Sequence, residues 1–250
     1  AQYAFLKDKY GLSKIHFIYE DALWARGTAG ALKSMIEPLG WEEVATDVTP
    51  LGVIDFSGPL LKAKDLGSEA ICCIFSIPET SVIAKQKHDM KVPAMITGFH
   101  PFLSAGHMWE TLGEKVEYAV VAVLELGLAP SAKYPKSVEF YDKFKKRYGK
   151  HSDVEHTAPA AYDSVYILAE ALERAGSLDP EKVIPALEAT DYMGANGRYR
   201  FGPGHQATYG EDPSEVACSV NIQWQAGVRV PVLPEALAEA EIQLPPWMQK

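Results

Sequence analysis

Ala70-Ile71-Cys72-Cys73-Ile74-Phe75 is apolar at every position, which is typical of a central parallel strand that helices cover on both faces. An earlier run, Lys14 to Tyr19 (Lys-Ile-His-Phe-Ile-Tyr), is β-branched and aromatic and predicts a first buried strand. Similar patterns predict strands at 43–48 and 94–96, with helices at 25–39, from Asp55 onward, and from Pro78 to about His88. Strand and helix therefore alternate four times, which predicts an α/β fold with a doubly wound parallel sheet over residues 14–96.

The pattern changes beyond about Gly113, where amphipathic helices dominate. We expect helices at 134–148, 158–175 and 180–190, the last with Asp179 as its N-cap, and strands at 198–201, 217–225 and 228–232. The helices carry wide apolar stripes, yet only one short strand is predicted between Gly127 and Glu215. Either they pack on each other as a bundle, or they cover a sheet whose strands come from a segment before Ala1.

Composition excludes several classes of function. The 250 residues are 47% hydrophobic and 23% charged, as in ordinary globular proteins. A net charge of -9 argues against a nucleic-acid partner. Cys72, Cys73 and Cys218 form neither a disulfide framework nor a metal half-site, so we interpret them as packed residues and predict no cofactor or metal. Charges interrupt the N-terminal apolar run, so neither a signal peptide nor a spanning helix is expected within these residues.

Several motifs resemble one family, the type I periplasmic binding proteins of the branched-chain amino acid and amide group, which serve ATP-driven import. The similar motifs cover almost the whole chain: Ile18-Tyr19-Glu20-Asp21 with Trp24-Ala25-Arg26-Gly27, Asp55-Phe56-Ser57, Ala161 to Tyr166 with Ala169-Glu170-Ala171 and Ala175-Gly176-Ser177, Gly194 to Phe201, and Gly204-His205-Gln206-Ala207.

The resemblance implies a two-lobed fold with doubly wound sheets and an incomplete first lobe. Residues 1–122 would form most of the second lobe, 124–215 the helix-rich second half of the first lobe, and 217–250 a return to the second lobe with a C-terminal tail. The part of the first lobe that precedes Ala1 in the family would be absent. We therefore expect an N-terminal fragment or self-association to cover residues 124–215.

Ligands of open α/β sheets bind where the carboxyl ends of the strands meet. Side chains that follow the predicted strands are therefore the candidate ligand-binding residues, together with Tyr162 at a helix start: Asp21 and Trp24, Ser76 and Glu79, and Phe99 and His100. Each also has a plain structural interpretation. Trp24 would make a helix-capping contact, Phe99 and His100 would fill a turn, and Ser76 would cap the helix at Pro78.

The resemblance places an aromatic residue at Trp24 and, in amino-acid binders, an acid at about Gly98 that pairs with the ligand's ammonium. That acid is absent here. The ligand is therefore expected to have a flat or aromatic portion, because Trp24 and Phe99 can stack on it. His100 could donate a hydrogen bond to a carboxylate of the ligand.

The resulting hypothesis is a non-enzymatic receptor that captures a small polar organic ligand, such as an amino acid, an amide or an aromatic acid. It would close by a hinge and deliver the ligand to an ABC permease. The location would be periplasmic or extracytoplasmic, with a membrane-anchored lipoprotein as one form.

The alternative is an α/β enzyme on an acidic or sugar-like substrate, with Glu79 or Asp21 as base and His100 as its partner. No G-x-S-x-G elbow, Walker loop or H-E-x-x-H helix supports it. A third alternative is a chain that binds nothing, having lost half its cleft. His151, Asp153, Glu155 and His156 are interpreted as a solvated loop rather than a metal cluster.

Overall fold

The computed structural model describes residues 1–149 and 154–249. Its α-helices are α1 (Gln2–Tyr10), α2 (Leu23–Ile36), α3 (Ser57–Asp65), α4 (Val82–Asp89), α5 (Met108–Leu112), α6 (Pro135–Tyr148), α7 (Ala158–Ala175) and α8 (Pro180–Glu188). Its strands are β1 (Lys14–Glu20), β2 (Glu42–Thr49), β3 (Ala70–Ile74), β4 (Met95–Phe99), β5 (Val120–Val123), β6 (Tyr192–Gly194), β7 (Gly197–Tyr199), β8 (Tyr209–Gly210), β9 (Ala217–Cys218), β10 (Val220–Gln225) and β11 (Val228–Leu233). The chain divides into two compact units.

Unit 1 comprises Ala1–Ala122, Asn221–Leu233 and Ala240–Lys250. It contains a seven-stranded sheet with the order β11-β10-β5-β4-β3-β1-β2. Strand β1 pairs in parallel with β2 and β3, and β4 pairs in parallel with β3 and β5, whereas β10 and β11 are antiparallel. The predicted parallel sheet of at least four strands is therefore confirmed, and β3 lies inside it as its uniform apolarity indicates.

Helices cover both faces of this sheet, because every residue of β3 and all but the first of β1 are buried. On one face, Phe17 and Cys72 belong to a core that also takes Leu6 of α1 and Ala29 of α2. The Cys72 and Cys73 thiols are unpaired and buried, as expected for packed cysteines.

Local capping follows the sequence closely. Asp55 Oδ1 accepts a hydrogen bond of 2.9 Å from the Ser57 amide at the start of α3, and Asp179 Oδ1 accepts from the Glu181 amide at the start of α8. Each side chain therefore satisfies an amide that the first turn of its helix leaves unpaired.

Unit 2 comprises Val123–Val220 and Pro234–Glu239. It contains α6, α7 and α8 with a small sheet of order β6-β7-β9-β8. The expectation of one strand between Gly127 and Glu215 was wrong, because β6, β7 and β8 lie there, each only two or three residues long. Ile167 of α7 packs on this sheet in a small core with Tyr199 and Ala217.

The small sheet leaves part of the apolar surface of α7 uncovered. Val165 is 67% exposed and Leu168 is 45% exposed. Burying each such side chain would contribute roughly 1.5 to 3 kcal/mol. That a further segment or a second copy of the chain covers this surface stays a prediction.

Candidate functional site

Trp24 and Phe99 form an aromatic pair at the carboxyl edge of the unit 1 sheet. Strand β1 ends at Glu20, and α2 begins at Leu23, so Trp24 projects from the first turn of the helix; Phe99 is the last residue of β4. Their ring centroids lie 5.9 Å apart with an interplanar angle of 82°, an edge-to-face arrangement. Trp24 is 38% exposed and Phe99 is half-buried. The pair therefore offers an apolar, partly accessible surface.

Glu20 is a buried carboxylate that ties this edge together. Its Oε1 accepts hydrogen bonds from Trp24 Nε1 at 3.0 Å and from Ser76 Oγ at 2.6 Å, and its Oε2 accepts from the Ser76 amide at 3.0 Å. Bonds to an ionised acceptor are among the stronger ones in proteins. Glu20 thus fixes both the indole plane and the Ser76 loop.

Sequence reasoning placed Glu20 at this edge but did not include it among the candidate residues. The sequence did contain a signal for Glu20, because it is an acid directly after an apolar strand. A charge buried there needs hydrogen-bond donors. Ser76 does not cap the turn at Pro78–Ser81, for which no side-chain cap bond is present, because its hydroxyl donates to Glu20 instead.

Gly98 cannot carry the acid that the resemblance places near it. Its φ is +98°, and a Cβ built there would lie 2.3 Å from the Cys73 carbonyl oxygen. A side chain at this position would therefore strain β4 and clash with β3. The buried acid of this edge, Glu20, already accepts three hydrogen bonds.

His100 is fully buried behind the edge rather than open to a ligand. The Leu103 amide donates to its Nδ1 at 3.4 Å, and its Nε2 lies 3.1 Å from Thr80 Oγ1, whose own proton goes to the Ile77 carbonyl. Both ring nitrogens thus have a partner within the fold, and burial lowers the pKa of His100 to about 4. These partners occupy the ring in this structure, and the expected bond from His100 to a ligand carboxylate stays a prediction.

Asp21 and Glu79 are exposed on the same edge. Asp21 forms an ion pair of 2.7 Å with Arg26, and Glu79 lies in the turn at Pro78–Ser81. Neither carboxylate hydrogen-bonds His100, whose partners are Thr80 and Leu103. The base and histidine pair of the enzyme alternative is therefore not assembled in this structure.

Tyr162 is on α7 of unit 2, whereas the other candidates belong to unit 1. Its ring centroid is 5.0 Å from those of Phe140 and Tyr166, and it lines a cavity of about 220 Å³. Next to it, Asp163 is fully buried and accepts hydrogen bonds from the Ala195 and Asn196 amides. Tyr162 thus belongs to an aromatic surface of unit 2.

Within residues 1–149 and 154–249, no group of three metal-ligating side chains is present. Of the polar loop residues between α6 and α7, His151 and Asp153 lie outside the described residues. His156 has its Nδ1 3.0 Å from Glu125 Oε2. No helix in the described part of the chain has the length and apolarity that a membrane span requires.

Unit 1 thus has the architecture of a doubly wound α/β lobe, with an aromatic pair at the carboxyl edge of its sheet. The chain belongs to the family described as periplasmic binding protein, whose model matches residues 1–211. The resemblance and the fold class that it implied, the type I solute-binding fold of ABC transport, are thereby confirmed.

Among curated proteins, the chain is 26% identical over 234 residues to Leu/Ile/Val-binding protein homolog 7 of Brucella suis biovar 1, covering 93% of this chain and 58% of that protein. Among solved structures, it is similar to a leucine binding protein from Thermotoga maritima MSB8, with a TM-score of 0.75, 21% identity, and coverage of 93% and 63%. A solute binding protein from R. palustris in complex with benzoate gives a TM-score of 0.77, 15% identity, and coverage of 97% and 63%. The chain thus spans about three fifths of the length of these relatives.

Proposed function

We propose that this chain is part of a receptor that binds a small organic solute with a flat apolar portion, such as an aromatic acid or an amide. The observation that carries the proposal is the Trp24–Phe99 pair, held at the carboxyl edge by Glu20. Edge-to-face rings leave the exposed face of the indole available for a flat group.

The polar groups at the carboxyl edge argue against a ligand with a free ammonium group. Glu20 is occupied by three donors, Asp21 is paired with Arg26, and position 98 has no room for a side chain. An uncharged polar head group therefore fits this edge better than an ammonium. The names of the relatives include leucine and benzoate as ligands, and of these the flat ring of benzoate agrees better with the Trp24–Phe99 pair.

The family supports a binding protein rather than an enzyme, since the relatives compared above carry the names of binding proteins. We propose that the receptor works outside the cytoplasm and passes its ligand to the permease of an ABC importer. Ligand capture by hinge closure is part of the same proposal, driven by the higher affinity of the closed state.

Calorimetric titration of the chain with benzoate and with leucine tests this function. We expect benzoate to bind, and Trp24→Ala to weaken its binding about 5- to 150-fold, equal to about 1 to 3 kcal/mol of apolar and aromatic contact. Leu23→Ala is the matched control, because Leu23 precedes Trp24 and is 89% exposed; its affinity should equal that of the parent chain.

If Trp24→Ala binds benzoate as tightly as the parent chain does, Trp24 has only a structural role. Stronger binding of leucine than of benzoate would overturn the argument about the head group. Mass spectrometry of the recovered ligand completes the test, because a receptor returns its ligand unchanged and an enzyme does not.

A further inference from the structure

Lys87 of α4 is a buried cation without a counter-charge. Its residue is 8% exposed, and within residues 1–149 and 154–249 no hydrogen bond or ion pair reaches its Nζ. The contact that it makes is with the ring of Trp247, whose centroid lies 5.2 Å from Nζ. A largely buried ammonium usually has a charged or hydrogen-bonding partner, whereas that of Lys87 has an aromatic ring and the neighbouring cavity.

A cavity of about 320 Å³ adjoins this ammonium. It is lined by apolar and basic side chains and by no carboxylate: Lys87, His88, Lys91, Val92, Pro93 and Trp247. Val92 and Pro93 precede β4 at its amino end, whereas Phe99 ends the same strand. The cavity is therefore at the opposite edge of the unit 1 sheet from the Trp24–Phe99 pair.

The surroundings do not neutralise Lys87. Burial lowers the pKa of its ammonium to about 8, because the charged form loses its hydration. The nearby Cys73 thiol stays protonated, since burial raises its pKa well above the usual range. Lys91 adds a second positive charge to the lining. The nearby Asp89 is paired with Lys85 and contacts His88. The cavity thus combines apolar walls with a cation that has no anionic partner among the described residues.

We propose that this cavity binds a small organic carboxylate with an apolar tail. The carboxylate pairs with Lys87 Nζ and restores the interactions that burial removed, while the tail contacts Val92, Pro93 and the Trp247 ring. An ammonium is a point charge that needs no fixed fork of donors, and a cavity near 300 Å³ is at the small end of ligand sites. A short monocarboxylate matches both features. This site does not depend on the proposed function.

Calorimetry with hexanoate and with hexanamide, its neutral analogue, tests the proposal on the full chain. We expect hexanoate to bind the parent at one site and hexanamide to bind at least about tenfold more weakly, because a charge-assisted hydrogen bond is lost. Lys87→Met keeps the length of the side chain and should weaken hexanoate binding by at least about tenfold. Lys85→Met is the matched control, since Lys85 is on the same helix but is exposed and paired with Asp89.

Undetectable hexanoate binding, equal binding of hexanamide, or equal affinity of Lys87→Met would each overturn the proposal. The hexanoate–hexanamide contrast needs no variant, so the test does not depend on how Lys87→Met folds. Trp24→Ala separates the two edges of the sheet: it should leave hexanoate affinity unchanged, and a loss would place hexanoate at the Trp24–Phe99 pair instead.

Discussion

Glu20 in unit 1 and Asp163 in unit 2 are both carboxylates with fully buried side chains, yet they hold different kinds of partner. Glu20 accepts from the Trp24 indole and from the amide and hydroxyl of Ser76. Asp163 accepts from two backbone amides, Ala195 at 2.8 Å and Asn196 at 3.3 Å. The first carboxylate orients side chains that face solvent, and the second fixes a turn.

The environment of Asp163 is built for one conformation. A Cβ at Gly194 would lie 2.4 Å from the Asp163 carboxylate, so glycine is required there. Asn196 extends the network, because its Oδ1 accepts from the Gly127 amide and its Nδ2 donates to Tyr199 Oη. Burial alone therefore does not reveal the role of a carboxylate, whereas its hydrogen-bond partners do.

The largest effect should come from Asp163→Ala, which leaves two buried amides without an acceptor. Each unsatisfied group costs about 1 to 3 kcal/mol, so the free energy of unfolding should fall by about 3 kcal/mol. Urea denaturation measures this, with Ser164→Ala as the exposed neighbouring control that should change it by less than about 0.5 kcal/mol. If Asp163→Ala lowers the free energy of unfolding by less than about 1 kcal/mol, Asp163 does not have the structural role that distinguishes it from Glu20.

The second effect is a pH dependence of stability. It comes from His100 in unit 1, the unit that also contains Glu20. Its folded pKa is lowered to about 4 from an ordinary value of 6.5, so between these values the unfolded chain binds more protons and stability falls as pH falls. The contribution of His100 is complete above about pH 6.5 and should decrease by about 2 kcal/mol between pH 7 and pH 5.

Urea denaturation at several pH values checks this dependence by comparing the parent chain with His100→Gln. The variant lacks the titrating ring, so the difference in unfolding free energy should be largest at pH 7 and should narrow toward pH 5. A difference that is constant over this range would show that His100 titrates normally and is not held in the neutral form.

The smallest effect on stability, but a clear one on binding, is expected for Glu20→Gln. The amide group of glutamine would face one of the donors that now bond Glu20, so we expect a loss of about 1 kcal/mol of stability. Benzoate affinity should fall about tenfold because the Trp24 indole loses its fixed orientation. Glu37→Gln, an exposed acid in the turn after α2 and not a candidate ligand-binding residue, should change neither quantity.

The experiment on Glu20→Gln depends on the difference between its effect on stability and its effect on benzoate affinity. If Glu20→Gln lowers stability as strongly as Asp163→Ala and leaves affinity unchanged, then Glu20 has the same structural role as Asp163 and the comparison fails. Calorimetry and urea denaturation on the same preparations distinguish these results.

The sequence determined the parallel sheet of unit 1, because uniform apolarity in β3 and short-range capping by Asp55 and Asp179 depend only on neighbouring residues. It also indicated the edge at which Trp24 and Phe99 meet, since the carboxyl ends of parallel strands converge. The short strands of unit 2 were underestimated, because segments of two or three residues carry too little periodicity to be detected.

Only the tertiary structure decided what the polar residues do. Glu20 meets Ser76 across 56 residues of chain, His100 is enclosed by Thr80 and Leu103, and Lys87 is buried beside Trp247 from the far end of the chain. The energy of a buried polar group depends on which donors, acceptors and charges surround it. Those neighbours are brought together by folding, and no local pattern in the sequence specifies them.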